Sequence, residues 1–194
     1  MAKLIGINGV KGSGKDFLGK RLVAYLERHG FTVEIRKFAD PIKHSLEDIF
    51  GPMTEEQYDE FKRTTHPMMF LDEARPIKGR DIVRGHGMKM RSYDGGQQFL
   101  DYVTAPSDKD FVVVTDLRFE NEFTLDWFYK FKIFNPRVKS DGHESEMEWP
   151  DDMFDAIVEN DGGYGGAHNA NEAIHNLIWP LYLEKTNVGT VGEV

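Results

Sequence analysis

Apolar residues in this chain come in short runs punctuated by glycine and proline, and their spacing alternates between strand and helix patterns. Lys3 to Asn8 is a short apolar run bounded by glycine, which predicts a buried strand, and Asp16 to His29 switches to helical spacing. Leu18, Leu22 and Leu26 share one face there, and Gly30 suits the helix end. A second strand over Thr32 to Phe38 precedes Asp40-Pro41, where Asp can cap a helix and Pro can take its first position. Ile42, Leu46 and Ile49 give that helix its apolar stripe, and Gly51 ends it. From Thr54 to Thr104 the pattern offers no strand. It predicts helices near Glu55 to Arg63, Gly79 to Met90 and Gln97 to Val103, a helical insertion joined by Pro- and Gly-rich loops. Phe111 to Thr115 is the clearest strand, because a continuous Val-Val-Val core suits a central parallel strand buried on both faces. Phe131 to Phe134 and Ala156 to Glu159 are weaker candidates for two more strands. Gly162 to Gly166 reads as a flexible surface loop, Asn169 to Glu184 as a closing helix despite Pro180, and the residues from Asn187 as a loose tail. Strands alternating with helices predict an α/β fold, a mostly parallel doubly wound sheet formed by residues 1–194 as a single domain.

Charge and composition narrow the partners. There are 24 basic and 33 acidic residues, a net charge of −9, which argues against a surface that tracks a nucleic acid polymer. The chain has no cysteine, so disulfides and thiolate metal sites are excluded, and a cytoplasmic location is the expectation. The apolar run Leu4 to Ile7 is too short for a signal segment or a span, so no membrane association is expected. The seven histidines show no paired ligand spacing, which disfavours a metal hydrolase. Oligomeric state is not encoded in any pattern, and a homodimer stays open.

Gly9-Val10-Lys11-Gly12-Ser13-Gly14-Lys15-Asp16 has the spacing G-x-x-x-x-G-K and lies between a buried strand and an amphipathic helix, as in a P-loop NTPase fold. Glycines let the backbone curl so that successive N–H groups surround a β-phosphate, with the helix N-terminus adding partial positive charge. Lys15 then bridges β- and γ-phosphates. Asp16 stands where Ser or Thr usually ligates magnesium. It is expected to hold Mg²⁺ directly or through water, or to orient the attacking phosphate; a first-turn carboxylate complementing the helix dipole is the competing reading.

The run Val114 to Glu122 lies at the carboxyl end of the best strand, the edge where ligands sit in open α/β sheets. Asp116 is placed like a Walker B acid and joins Asp16 as a candidate Mg²⁺ ligand. Arg118 could pair with an acceptor phosphate, and Glu122, four residues on, could fix its guanidinium. A helix cap with a surface ion pair would give the same spacing. Arg80 and Arg84, also four apart, could fork a dianionic phosphate or be two solvated helix arginines.

Five blocks in order complete a resemblance: Gly12-Ser13-Gly14-Lys15-Asp16, Phe38-Ala39-Asp40-Pro41-Ile42-Lys43, Asp116-Leu117-Arg118-Phe119 with Asn121-Glu122, His143-Glu144-Ser145-Glu146, and Asp155-Ala156 through Asn160-Asp161-Gly162. The chain resembles the deoxynucleoside monophosphate kinases of tailed bacteriophages, in the adenylate-kinase-like branch of P-loop proteins. A related set of marks occurs in animal-type phosphomevalonate kinases. The resemblance implies that Gly9, Lys11, Gly12, Ser13, Gly14, Lys15 and Asp16 bind ATP and its magnesium, with Asn160 near the adenine. It also implies that Phe38, Arg80, Arg84, Gly87, Arg118 and Glu122 serve the acceptor, and that Asp116 assists them. Arg84 stands where the family commonly has glutamine, and Met88 where it has threonine. Arg137 and Lys139 fall in a short lid, residues 136–150, with Arg137 neutralising the transferred phosphoryl group and His143, Ser145 and Glu146 just beyond.

The function expected from the sequence is therefore phosphorylation of deoxynucleoside monophosphates by ATP and Mg²⁺, in the host cytoplasm for a phage protein. The helical insertion, residues 54–104, is expected to close over the acceptor. A P-loop kinase of another acceptor, such as phosphomevalonate or dephospho-coenzyme A, and a non-catalytic ATP-binding sensor or assembly protein are the rivals.

Overall fold

The computed structural model describes residues 1–70, 73–139, 142 and 147–188. In chain order its elements are β1 (Lys3–Asn8), α1 (Lys15–Arg28), β2 (Val33–Arg36), α2 (Asp40–Phe50), α3 (Glu55–Arg63), β3 (Thr65–Phe70), β4 (Glu73–Lys78), α4 (Gly79–Asp94), α5 (Gln97–Thr104), β5 (Phe111–Leu117), β6 (Trp127–Phe134), β7 (Ala156–Glu159) and α6 (Tyr164–Val188). Among the described residues the 3-10 turns Glu120–Thr124 and Asp151–Met153 interrupt the loops. The chain divides into two compact units, one of Met1–Lys37 with Pro106–Val194 and the other of Phe38–Ala105.

The first unit is a mixed α/β structure with a five-stranded sheet in the order β2-β5-β1-β6-β7, every neighbouring pair parallel. Parallel strands buried on both faces need uninterrupted apolar runs, and β1 and β5 have them: Ile5, Ile7, Val112, Val113 and Val114 are all buried. Leu18, Leu22 and Leu26 of α1 and Ala170, Ile174, Leu177 and Ile178 of α6 close over Ile5, Ile7, Phe111, Val113, Phe131, Ile133 and Val158. Each fully buried leucine contributes roughly 2 kcal/mol. Helix α1 approaches β5 so closely that a Cβ on Gly19 would lie 2.6 Å from Thr115 Cγ2. No described helix is long and apolar enough to cross a membrane.

Several boundaries differ from the sequence pattern. Strand β2 is confined to Val33–Arg36, whereas β5 runs on to Leu117 and takes Asp116 into the strand. Strand β6 starts at Trp127, well before Phe131, because Lys130 and Lys132 can lie in a strand when their ammonium groups reach out of the sheet. Lys132 Nζ donates to the Trp149 carbonyl at 2.7 Å and to Asp151 Oδ1 at 2.6 Å. The glycine run expected to be a loop instead opens α6. Asp161 Oδ1 accepts from the Gly163 and Gly166 amides at 2.8 and 2.9 Å, supplying the missing N-terminal partners and overriding the poor helix propensity of glycine.

The second unit holds α2 to α5 and, against expectation, an antiparallel hairpin of β3 and β4. Pro67 and Pro76 face each other in its register, and prolines mask a strand signal because they are admitted only where no ladder N–H is needed. Helix α3 begins with a capping box in which Thr54 and Gln57 exchange hydrogen bonds. Helix α4 runs past Met90 to Asp94. In α2, Leu46 is buried as expected, but Ile49 is 63 % exposed. Ser45 Oγ and His86 Nε2, 2.9 Å apart, link α2 to α4.

Candidate functional site

Where β1 ends, Asn8 Nδ2 donates to the Leu117 carbonyl at 2.8 Å and ties the ends of β1 and β5 together. The chain then turns through Gly9 to Gly14 into α1. Gly14 caps the helix in a left-handed conformation, φ +108°, and its Cβ would lie 2.2 Å from Asn160 Nδ2. A Cβ on Gly9 would lie 2.3 Å from the Ile133 carbonyl oxygen and 2.5 Å from Ser13 Oγ. The loop is therefore built of bare backbone, walled by the end of β6 and by Asn160 beyond β7. Val138, in the segment after β6, comes within 3.6 Å of a Cβ placed on the exposed Gly12. Asn160 Nδ2 donates to the Ser13 carbonyl at 2.9 Å, and its own amide donates to the Phe134 carbonyl at 2.8 Å. Asn160, expected near an adenine, thus braces the glycine loop.

The electrostatics of this loop favour an anion. The first turn of α1 directs unsatisfied N–H groups and the positive end of the helix dipole toward it. Lys15 folds back across the loop, its Nζ donating to the carbonyls of Gly9 at 2.6 Å and Val10 at 2.8 Å. Ser13 is wholly buried, and its Oγ has no hydrogen-bond partner among the described residues. An orphaned buried hydroxyl costs about 1–3 kcal/mol, which an acceptor atom seated in the loop would relieve. Lys11 and Asp16 are exposed at the loop and in the first helical turn. The chain leaves β1 toward β2 and leaves β6 toward β7, in opposite directions, so the loop opens at the switch point of the sheet.

Beside it, β5 ends with Asp116 half-buried, Leu117 buried and Arg118 half-buried. Glu122 is fully buried, and its Oε2 accepts from the amides of Arg118 at 2.6 Å and Phe119 at 3.0 Å. Glu122, expected to fix the guanidinium, holds through these bonds the backbone of the turn that carries it. Trp149, which no sequence pattern singled out, donates its indole N–H to the Arg118 carbonyl at 2.7 Å. Trp127 does the same to the Glu122 carbonyl at 2.8 Å.

Arg137 is exposed in a turn closed by its amide on Asn135 Oδ1 at 2.9 Å. The amides of Gly163 and Gly166, with the charge of Arg137, hold the Asp161 carboxyl below its usual value. Lys139 is exposed, while His143, Ser145 and Glu146 lie outside the described residues. Among the described residues there is no cluster of three or more His, Cys, Asp or Glu side chains suited to a metal.

In the helical unit Arg80 and Arg84 are half-buried on one face of α4. Gly87 is buried where α4 meets α2, since its Cβ would lie 2.7 Å from Ile42 Cδ1. Phe38 is buried, 2 % exposed.

A cavity of about 670 Å³ lies at the opposite rim of the sheet, lined in part by Lys3, Phe31, Asp110, Phe111, Leu181 and Lys185. It is remote from the glycine loop because its strand residues start β1 and β5 rather than end them. Asp110 Oδ2 accepts there from the Thr32 amide at 2.7 Å and its hydroxyl at 3.0 Å. The Thr32 amide and hydroxyl, with the Lys185 charge, hold Asp110 below its ordinary 3.8, against the pull of desolvation. A depressed carboxyl stabilises the fold above its unfolded pKa and loses that contribution as pH falls through the folded value. Asp110→Asn should therefore cost about 1 kcal/mol near neutrality, the small size reflecting solvent screening. The gap in thermal midpoint from the parent should close as pH drops below 3.8, and a gap constant with pH would refute the assignment.

Compared with known protein families and with curated proteins, the chain matches none.

Proposed function

We propose that the chain transfers the γ-phosphoryl group of ATP to a small phosphorylated acceptor, a deoxynucleoside monophosphate being the acceptor favoured by the sequence resemblance. The observation that carries this reading is the buried Ser13 hydroxyl, without a hydrogen-bond partner among the described residues, inside a glycine loop spanned by the Lys15 ammonium. A structural turn has no use for an orphaned hydroxyl, whereas a phosphate oxygen satisfies it.

In this mechanism the loop amides and Ser13 Oγ hold the β-phosphate, and Lys15 exchanges the Gly9 and Val10 carbonyls for phosphate oxygens. Magnesium takes one or two carboxylates plus phosphates and water, a demand that Asp16 and Asp116 can meet, and when bound it neutralises the phosphate charge. Arg118 orients the acceptor phosphate for in-line attack. That oxygen is already ionised near neutral pH, so the chain need not supply a strong general base.

The test is a coupled ADP-release assay with ATP and Mg²⁺ against deoxynucleoside monophosphates, their ribose counterparts and phosphomevalonate. Turnover dependent on one acceptor class supports the kinase and identifies its substrate. ATP binding without turnover of any acceptor would replace it with the sensor reading.

A further inference from the structure

We infer that Trp149 is a positioning residue for Arg118, acting through the main chain, so that the guanidinium is aimed at a phosphate before any ligand arrives. This rests on the reading of Arg118 as a phosphate ligand.

The main chain of Arg118 is gripped on both sides by side chains. Its N–H is held by the fully buried Glu122 carboxylate at 2.6 Å, and its C=O accepts the Trp149 indole N–H at 2.7 Å. The two grips are themselves fixed. Glu122 is held through its carbonyl by Trp127 Nε1 at 2.8 Å. The Trp149 ring packs on Phe123 with centroids 4.8 Å apart, and its carbonyl accepts from Lys132 Nζ at 2.7 Å. A residue just past a strand end ordinarily completes its hydrogen bonds with backbone or water. Spending a buried carboxylate and an indole on the main chain of one residue is a poor route to stability, because desolvating the carboxylate is costly. It is a good route to a fixed main chain, and a fixed main chain restricts where the half-buried side chain can point.

Trp149→Phe keeps the ring on Phe123 and removes only the N–H. The KM for the acceptor should rise about five- to tenfold with the KM for ATP unchanged, while the thermal midpoint falls by only about 2–4 °C, the loss of one neutral hydrogen bond. An unchanged acceptor KM, or an equal rise in both KM values, would overturn the inference. A second arm does not need turnover: the Arg118 side-chain Nε resonance is followed while inorganic phosphate is titrated into each protein, assigned with Arg118→Lys. Half-saturation should need about five- to tenfold more phosphate in Trp149→Phe. If no acceptor is turned over and the titrations still separate, the kinase reading falls and the positioning role stands. Coincident titrations, or no phosphate response in the parent protein, would remove the positioning role whatever the enzyme assay shows.

Discussion

Lys15→Ala is expected to lower ATP-dependent turnover by about a thousandfold or more, because an ammonium that follows charge from the β- to the γ-phosphate acts mainly in the transition state. The fold should survive. Lys15 is only partly buried, and the carbonyls of Gly9 and Val10 that it now holds lie in a loop water can reach. The thermal midpoint should therefore move little while ADP release disappears. Lys15→Arg should recover only part of the rate, since the planar fork cannot replace a compact charge inside a loop this tight. Retained turnover in Lys15→Ala, measured against the same acceptor as the parent, would mean that the glycine loop is not the phosphate site.

Gly79→Ala should be the most destabilising single methyl in the helical unit. Gly79 opens α4, donates its amide to the Thr64 carbonyl at 2.9 Å, and its Cβ would sit 1.8 Å from the Phe61 carbonyl oxygen. Backbone at both ends of that contact cannot rotate away, so the α3–hairpin–α4 junction must open. The cost is about 3 kcal/mol or more, a fall of roughly 6–12 °C in thermal midpoint. Two other glycines of α4 calibrate it. Gly87→Ala meets only the end of the Ile42 side chain and should cost less. Gly85→Ala meets nothing within 4 Å and should stabilise by about 0.5–1 kcal/mol, as alanine does in an exposed helix. Equal midpoints for the Gly79 and Gly85 variants in a thermal melt would contradict the packing at Phe61.

The parallel sheet was legible in the sequence because its two central strands, β1 and β5, are continuous apolar runs, and α1 because its leucines recur at helical spacing. The glycine loop was legible for the same physical reason that makes it useful, since close approach at Gly9 and Gly14 admits no other residue. The hairpin was not legible. Pro67 and Pro76 occupy it, and an isolated two-stranded ribbon has no apolar alternation to advertise. The start of α6 was hidden because its cap is a tertiary arrangement of Asp161 over glycine amides rather than a propensity. At the site, sequence spacing placed Arg118 beside Glu122 but gave no sign that the carboxylate serves backbone, and none that Trp149 reaches the main chain of the same residue from a distant segment. Long-range hydrogen bonds of that kind leave no periodic trace.

Of the chain's three tryptophans, Trp127 and Trp149 both hydrogen-bond to the turn from Arg118 to Glu122, while Trp179 is 43 % exposed on α6. The molecule thus carries its own optical reporter. Trp179→Phe would leave emission arising only from indoles bonded to that turn, so a change in colour or quenching on adding a ligand would report on its local environment without any attached dye.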